Sequence, residues 1–310
     1  MKVVEGIARL DHDGYMVVTA GTFDGVHVGH KAILQQVCEQ ARVHNGKSVV
    51  ITFWPHPKFI LGGASTLKLL STWKEKEELF RKSGIDFLVK IPFTKEFSEL
   101  SGDAFIRQVL VDALGTKKLI IGYDHKFGKN REGSFEYLQE NASQYGFEVE
   151  EIPRQDIDHI GISSTKVRKA LMEGNIEHAN EFLGYHYMLE GEVVKGDKIG
   201  TGLGFPTANL HVEESFKLIP ADGIYAVTVD FKGKSFGGML YIGNRPTLQE
   251  SPKTIEVNIF NFDQSIYGER IRVNFVALLR KDQRFDSLEK LRHQLVIDRE
   301  QAINVLKQLK

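Results

Sequence analysis

The sequence contains a single cysteine, Cys38, among its 310 residues. One thiol excludes an intramolecular disulfide framework and any zinc site built from several thiolates, and it fits a reducing compartment. The charges nearly cancel, because 40 Lys and Arg residues face 41 Asp and Glu residues. This balance argues against a protein that holds nucleic acid or a membrane surface through bulk positive charge.

Long apolar runs are also missing. The longest have the length of a strand, such as 275–279, so no segment is predicted to span a bilayer. The N-terminal region carries Glu5, Asp11 and Asp13 and lacks the apolar centre of a signal peptide. We therefore expect a cytoplasmic globular protein, and a prior of about 150 residues per domain predicts two domains.

The first 180 or so residues alternate between strand-like and helix-like patterns. Runs rich in Val, Ile and Phe predict buried strands at 16–19, 48–53, 87–91, 118–122 and 147–152. Apolar periodicity and capping signals predict helices at 30–44, 72–84 and 101–114. This alternation predicts an α/β, Rossmann-like domain with a doubly wound parallel sheet, in which ligands bind at the carboxyl ends of the strands.

The pattern changes near Leu183-Gly184, which predicts domains at 1–183 and 184–310. Residues 184–243 contain eleven of the 29 glycines and show no convincing helix. Alternating apolar runs predict short antiparallel strands, arranged as a barrel or a sandwich, at 225–230, 238–242, 255–260 and 271–279. An apolar stripe between Leu288 and Leu306 predicts a terminal helix.

A glycine-rich turn, AGTFDGVHVGH at 20–30, joins the first of these strands to a helix. Glycine allows the backbone to approach a ligand closely, and the amides at a helix N-terminus attract an anion. His27 and His30 are three residues apart, so both can face one phosphate chain and stabilise developing phosphoryl charge.

The segment ISSTKVR at 162–168 opens another helix. Its hydroxyl side chains can cap the helix or bind a phosphate, which Arg168 can neutralise. An HxGH motif alone can be an incidental loop, but the glycine turn, the preceding strand and this segment together favour a functional site. His56, between two prolines, is either a rigid turn residue or part of that site.

These motifs resemble the cytidylyltransferase-like nucleotidyltransferases. With TFWPHP at 52–57 and GYDHKFG at 122–128, they resemble one branch, the bacterial bifunctional riboflavin kinase/FMN adenylyltransferase (FAD synthase) family. The resemblance implies catalytic roles for His27, His30 and Arg168 and flavin contacts for His56 and Asp124. His125 departs from the family pattern, which has an aromatic residue there, and this bears on how FMN or adenine is held. The implied ATP contacts in this half are Gly21, Phe23, Asp24, Gly25, Ser163, Ser164 and Thr165.

The glycine-dense segment 191–209 is not a Walker loop, because the GxxxxGK[ST] order is absent. Its glycines can still wrap a phosphate chain. Thr207 and Asn209 present a hydroxyl and an amide oxygen on one side of an extended segment, and such hard oxygen ligands suit Mg²⁺. The alternative is a simple turn after Pro206.

The run GFPTAN at 204–209 resembles the metal-binding motif of riboflavin kinases, and motifs at 223–226, 243–247, 256–263 and 267–269 continue the match. The resemblance implies a barrel, Mg²⁺ on Thr207 and Asn209, and Glu256 as the general base for the ribityl 5′-hydroxyl. Asp298 and Arg299 are the expected flavin contacts on the last helix, where a solvated charge cluster is the competing interpretation. The implied ATP contacts in this half are Lys198, Gly202 and Gly204.

Taken together, the resemblance implies two ATP-dependent reactions. The barrel phosphorylates riboflavin to FMN, and the N-terminal domain adenylylates FMN to FAD with release of pyrophosphate. We expect no nucleic-acid or membrane partner, and the sequence does not indicate an oligomeric state. Two alternatives are a barrel that only binds flavin as a sensor, and a transferase for another phosphorylated substrate. Glu256 and residues 206–209 argue against a sensor, because a pure binder needs neither a base nor a metal site.

Overall fold

A computed structural model describes residues 1–10, 14–62, 66–122, 127–129, 133–152, 161–196, 199–243 and 253–309. Contacts divide the chain into two compact units, Met1–Ser164 and Thr165–Lys310. Each unit contains one sheet, and the two sheets differ in kind.

Unit 1 is built on a six-stranded sheet in which every pairing is parallel. The central strands are continuous apolar runs, as expected for strands covered on both faces. The predicted α/β class is confirmed, and the short edge strand β1 is additional to the predicted strands. In order across the sheet, the strands are β1 (Lys2–Glu5), β4 (Phe87–Pro92), β3 (Lys47–Trp54), β2 (Met16–Ala20), β5 (Thr116–Gly122) and β6 (Glu148–Ile152).

The helices of unit 1 follow the predicted periodicity. Ile33, Val37 and Ala41 on the first helix pack in one cluster with Val17 of β2. The predicted capping box is present, with the Thr72 hydroxyl and the Glu75 carboxylate bonded to each other's backbone amides. The helices are α1 (Val28–Val43), α2 (Pro57–Ile60), α3 (Trp73–Lys82), α4 (Lys95–Ser98), α5 (Gly102–Phe105), which continues as a π-helix over Ile106–Ala113, and α6 (Phe135–Tyr145).

Unit 2 is a closed antiparallel barrel, so of the two arrangements that alternation allowed, the barrel is confirmed. Its strands, in order around the barrel, are β10 (Lys234–Gly243), β11 (Thr254–Ile259), β8 (Ala208–His211), β7 (Met188–Val194), β12 (Arg270–Lys281) and β9 (Gly223–Phe231). Closure pairs every strand on both sides, which removes the exposed edges that an open sheet would leave.

Four helices accompany the barrel strands: α7 (Ser164–Glu173), α8 (Ile176–Leu183), α9 (Ile199–Gly202) and α10 (Leu288–Lys307). Ala302 on α10 packs on Met239 and Val276 of the barrel, which confirms the predicted terminal helix. The one-turn α9 lies in the glycine-dense segment, where no helix was predicted. Across the described ranges, every helix is too short or too polar to cross a membrane.

The division between the units falls before the predicted boundary at 183/184. Asn180 of α8 donates to the Phe275 carbonyl of β12 at 2.9 Å, and its side-chain oxygen accepts from the Tyr187 amide at 2.8 Å. The Ala221 amide likewise donates to the Leu171 carbonyl of α7 at 3.0 Å. These contacts tie α7 and α8 to the barrel, so the predicted boundary stays a prediction.

Candidate active sites

The turn between β2 and α1 is tightly folded. Phe23, Gly25 and Val26 all have positive φ angles, of 46°, 79° and 38°. A left-handed conformation is costly for a residue other than glycine, so the surrounding packing must hold Phe23 and Val26 in place. The Phe23 ring lies edge-on to both Phe80 and His30, with centroids 5.5 Å and 5.1 Å away. The turn is therefore a fixed scaffold at the carboxyl end of a central strand.

The two histidines of the HxGH motif stand at the N-terminus of α1. His27 is the N-cap residue, and its Nδ1 accepts a hydrogen bond from the His30 amide at 3.3 Å. The two imidazole rings stack with centroids 3.6 Å apart and planes 17° from parallel. The structure thus brings both rings together at the end of a 16-residue helix, where free amides favour an anion.

His30 is held in its neutral form. Desolvation lowers the pKa of His30 well below the usual 6.5, and the nearby His27 and Lys76 lower it further. Its Nδ1 atom is buried and has no hydrogen-bond partner among the described residues. A neutral His30 imidazole can donate one N–H to a phosphate oxygen. Because it is uncharged, it does not repel positive charge on the stacked His27 ring.

Asp24 is buried, and its carboxylate is engaged by the chain itself. It accepts from the Leu70 amide at 3.0 Å, the Ser71 amide at 3.2 Å and the Ser71 hydroxyl at 3.3 Å. The Ser71 hydroxyl in turn accepts from the Gly25 amide at 3.2 Å. Asp24 therefore anchors the turn to residues 70–71, and its predicted contact with ATP stays a prediction.

The ISST segment reaches the same turn. The Ser164 hydroxyl donates to the Asp24 carbonyl at 3.0 Å, so the first residue of α7 lies against the HxGH turn. Ser163 precedes this helix start, and Thr165 and Arg168 follow within its first turns. Binding of a phosphate by these residues stays a prediction.

His56 caps a short helix. Its Nδ1 accepts from the Lys58 amide at 3.2 Å, which makes it the N-cap of α2, and the residue is buried. This contact agrees with the rigid-turn interpretation for one ring nitrogen, and the choice between the two roles of His56 stays a prediction. The flavin contact predicted for His56 would have to use the rest of the ring.

In the barrel, the structure brings the predicted base and the predicted metal ligands together. The Thr207 hydroxyl donates to the Glu256 carboxylate at 3.1 Å. Asn209 on β8 is the direct cross-strand partner of Glu256 on β11, so the two side chains share one face of the sheet. A hydroxyl, an amide and a carboxylate thus converge from residues separated by about fifty positions in sequence.

The backbone around Thr207 is fixed from two sides. The Asn258 side chain donates to the Pro206 carbonyl at 2.6 Å. On the other side, a Cβ on Gly196 would lie 2.1 Å from the Asn209 amide nitrogen, so the Asn209 side chain rests directly on the Gly196 backbone. A side chain at position 196 would therefore displace the amide of a predicted metal ligand.

The predicted flavin contacts on α10 differ in exposure. Asp298 is fully buried, and its carboxylate accepts from Arg280 at 2.8 Å and from Gln294 at 2.9 Å. Arg299 is exposed, with its guanidinium 5.6 Å from the centre of the Phe260 ring. Asp298 thus braces the helix to the barrel, and the flavin roles of both residues stay predictions.

Comparison with known proteins covers both units. A family model described as FAD synthetase matches residues 10–166, and one described as riboflavin kinase matches residues 183–306. The bifunctional riboflavin kinase/FMN adenylyltransferase of Listeria monocytogenes is 38% identical over 284 residues, covering 91% of this chain and 90% of the relative. The chain belongs to the bifunctional riboflavin kinase/FMN adenylyltransferase family.

A second relative and a solved structure are also similar to nearly the whole chain. The Escherichia coli protein with that name is 35% identical over 302 residues, 96% of each chain. The crystal structure of a macrolide-efflux protein from Streptococcus pneumoniae superposes with a TM-score of 0.88 at 30% identity, covering 97% of this chain and 99% of that one. The predicted membership in this family is therefore confirmed.

Part of the predicted site lies outside the residues that the structure describes. Asp124, His125, Lys198 and residues 244–247 of the GNRPT motif fall there, so their predicted roles stay predictions. Gly202 ends α9, and Gly204 lies in the turn between α9 and β8 with a positive φ of 86°.

Three residues that support the sites were not singled out from the sequence. Lys76 contacts the HxGH turn, Asn258 holds Pro206, and Arg280 neutralises Asp298. Asn258 lies within the matched 256–263 motif, which was a usable signal. Lys76 sits in an ordinary amphipathic helix, and Arg280 sits at the end of a strand. The sequence around Lys76 and Arg280 therefore does not distinguish them from ordinary solvent-exposed charged residues.

Proposed function

We propose that this chain converts riboflavin to FAD in two steps, each of which consumes one ATP. The barrel unit phosphorylates riboflavin to FMN, and unit 1 transfers AMP from a second ATP to FMN. The observation that carries this proposal is the presence of two different phosphate-transfer geometries in one family member. One is a pair of stacked imidazoles at a helix N-terminus, and the other is a carboxylate beside a hydroxyl and an amide.

In unit 1, a phosphate oxygen of FMN attacks the α-phosphorus of ATP, and the bond from that phosphorus to the pyrophosphate oxygen breaks. The attacking oxygen is already ionised, so no strong base is needed. The α1 N-terminus and the imidazoles of His27 and His30 would then stabilise charge on the phosphates, with Arg168 as an additional cation. A neutral His30 stacked on His27 suits this role better than a general acid–base pair.

In the barrel, the 5′-hydroxyl of riboflavin attacks the γ-phosphorus of ATP, and ADP leaves. Glu256 would accept the hydroxyl proton as the oxygen–phosphorus bond forms. The Thr207 hydroxyl donates to the same carboxylate, which orients it.

The donor set of the barrel site fits Mg²⁺. Thr207 and Asn209 offer uncharged hard oxygens on the face that carries Glu256, and nucleotide phosphates and water can complete such a site. A bound Mg²⁺ would supply charge neutralisation at the β- and γ-phosphates. The residues of this chain would do the rest: Glu256, oriented by Thr207, would hold the 5′-hydroxyl in place and accept its proton.

Product analysis of the full chain tests the proposal. The protein is mixed with riboflavin, ATP and Mg²⁺, and flavins are separated by chromatography over time. We expect FMN first and FAD afterwards. FAD from supplied FMN without any FMN from riboflavin would instead favour the sensor alternative for the barrel. No FAD from supplied FMN would contradict the role proposed for unit 1.

Two variants then assign the steps to their sites. Glu256→Gln preserves the shape of the side chain and removes the base, so FMN formation should fall by roughly 10²- to 10⁴-fold while FAD formation from FMN continues. His30→Ala should have the opposite effect. If either variant loses both activities equally, the assignment of one step to each unit is wrong.

A further inference from the structure

Lys76 is a fully buried lysine beside the HxGH turn. It lies in the first turn of α3, and only 1% of its surface is exposed. Its Nζ donates to the Thr22 carbonyl at 2.7 Å and lies 5.3 Å from the centre of the Trp54 ring. A buried ammonium is costly unless something nearby uses the charge.

The carbonyl that Lys76 contacts lies at the start of the turn. Thr22 follows β2 by two residues, and its carbonyl also accepts from the Thr52 hydroxyl at 3.4 Å. The neighbouring Gly21 amide donates to the Ile51 carbonyl of β3 at 3.0 Å. These three hydrogen bonds fix the backbone between the end of β2 and His27, and the bond from Lys76 is the one with a charged donor.

The charge on Lys76 is not explained by fold stability. Burial lowers the pKa of Lys76 to about 8, and the attraction of Asp24 offsets this only in part. The folded state therefore binds the lysine proton less tightly than the unfolded chain does, so the charged form costs the fold free energy. A buried charge kept at such a cost beside a proposed phosphate-binding turn is typical of functional sites.

We propose that Lys76 is a positioning residue for adenylyl transfer: it fixes Thr22 and, through the turn, the placement of His27 and His30. This inference rests on the function proposed for unit 1. Because the side chain is buried, Lys76 acts through the turn and not through contact with a substrate.

The electrostatic neighbours of Lys76 give a definite pH dependence. Asp24 attracts the Lys76 ammonium, and Lys76 and His27 both act on His30. Glu75, the residue before Lys76, is a second buried acid. As the pH rises through about 8, Lys76 loses its proton and FAD formation should decline. Without the ammonium, the pKa of His30 should rise, so the acid limit of activity should move to higher pH.

The test uses the full chain, with the barrel reaction as an internal control. FAD formation from FMN and FMN formation from riboflavin are measured across pH for the wild type, Lys76→Met and Lys76→Arg. Lys82→Met, an exposed position on the same helix, is the matched control. We expect Lys76→Met to lower kcat for FAD formation by about 10- to 100-fold, with a smaller change in KM for ATP and no change in FMN formation.

Lys76→Arg keeps the positive charge at high pH, since arginine does not titrate there. It should recover part of the activity and lose the decline near pH 8. Wild-type kcat and pH profile in Lys76→Met would overturn the inference. If Lys76→Met does not fold, an alkaline decline that persists in Lys76→Arg would overturn it as well. A wild type that makes no FAD would instead overturn the proposed function.

Discussion

Arg280→Met should destabilise the barrel unit, because it removes the partner of a buried carboxylate. Asp298 has no exposed surface, and Arg280 donates to it through Nε at 2.9 Å and Nη2 at 2.8 Å. Among the described residues, Gln294 alone would then still donate to Asp298 from a side chain. Breaking a buried pair by removing one partner costs about 3–5 kcal/mol. We therefore expect a loss of that size in the free energy that holds α10 on the barrel.

Hydrogen exchange followed by mass spectrometry measures this loss locally. Exchange of the α10 amides should accelerate by roughly 150- to 4,000-fold, while amides of unit 1 serve as the internal reference. Lys290→Met is the matched control on the same helix, because the Lys290–Asp286 pair is largely exposed, at 65% and 88% of the two side chains. Loss of such an i,i+4 pair should cost only about 0.3–0.5 kcal/mol.

The double variant Arg280→Met with Asp298→Leu separates bracing from flavin binding. Apolar residues can replace a buried ion pair with little loss of stability, so α10 should regain most of its protection. If Asp298 only braces the helix, the double variant should phosphorylate riboflavin with an unchanged KM. A raised KM in a fully protected double variant would show that Asp298 contacts the flavin. An Arg280→Met variant with wild-type exchange would refute the bracing argument.

Two further predictions address the separate sites. Asn209→Ala removes a proposed metal ligand, so riboflavin phosphorylation should need a higher Mg²⁺ concentration than in the wild type, while the response of FAD formation to Mg²⁺ should not change. A Mg²⁺ titration of both activities checks this. A riboflavin phosphorylation curve identical to that of the wild type would contradict the prediction. The pKa of His30 in the folded state lies well below 6.5. Below pH 6.5 the unfolded chain therefore binds a proton at His30 that the folded chain excludes. The free energy of unfolding of unit 1 should accordingly decrease as the pH is lowered below 6.5. Denaturant unfolding followed by tryptophan fluorescence measures this, because both tryptophans, Trp54 and Trp73, lie in unit 1, and His30→Asn should flatten the dependence.

Periodicity and capping residues predicted the fold because they act over short distances. The helix from Thr72 and the buried strand at 16–20 are determined by neighbouring residues, so a local pattern identifies them. The edge strand β1 has only four residues and is half-exposed, so its pattern is too short to stand out. The tie between α8 and the barrel depends on Asn180 and Phe275, which lie 95 positions apart, and no local signal indicates it.

The candidate sites divide in the same way. The proposed reacting groups of both units lie in compact motifs whose glycines, histidines and hard oxygen ligands point to phosphate chemistry. The contacts that hold these motifs join distant residues: Lys76 lies 54 residues from Thr22, and Asn258 lies 52 from Pro206. Such a contact is a property of the tertiary fold, so the sequence shows it only where the partner also lies in a motif, as Asn258 does and Lys76 does not.

The two units meet opposite electrostatic demands, which explains why their supports differ. In the barrel, the acceptor is a neutral hydroxyl, so the site needs an anion, and the Thr207 hydroxyl orients the Glu256 carboxylate without neutralising it. In unit 1, the acceptor is already an anion, and a carboxylate aimed at it would repel it. The acid of that turn, Asp24, is accordingly turned inward onto the amides of residues 70–71, with the buried Lys76 beside it. Its negative charge is thereby withdrawn from the helix end where the phosphates would bind.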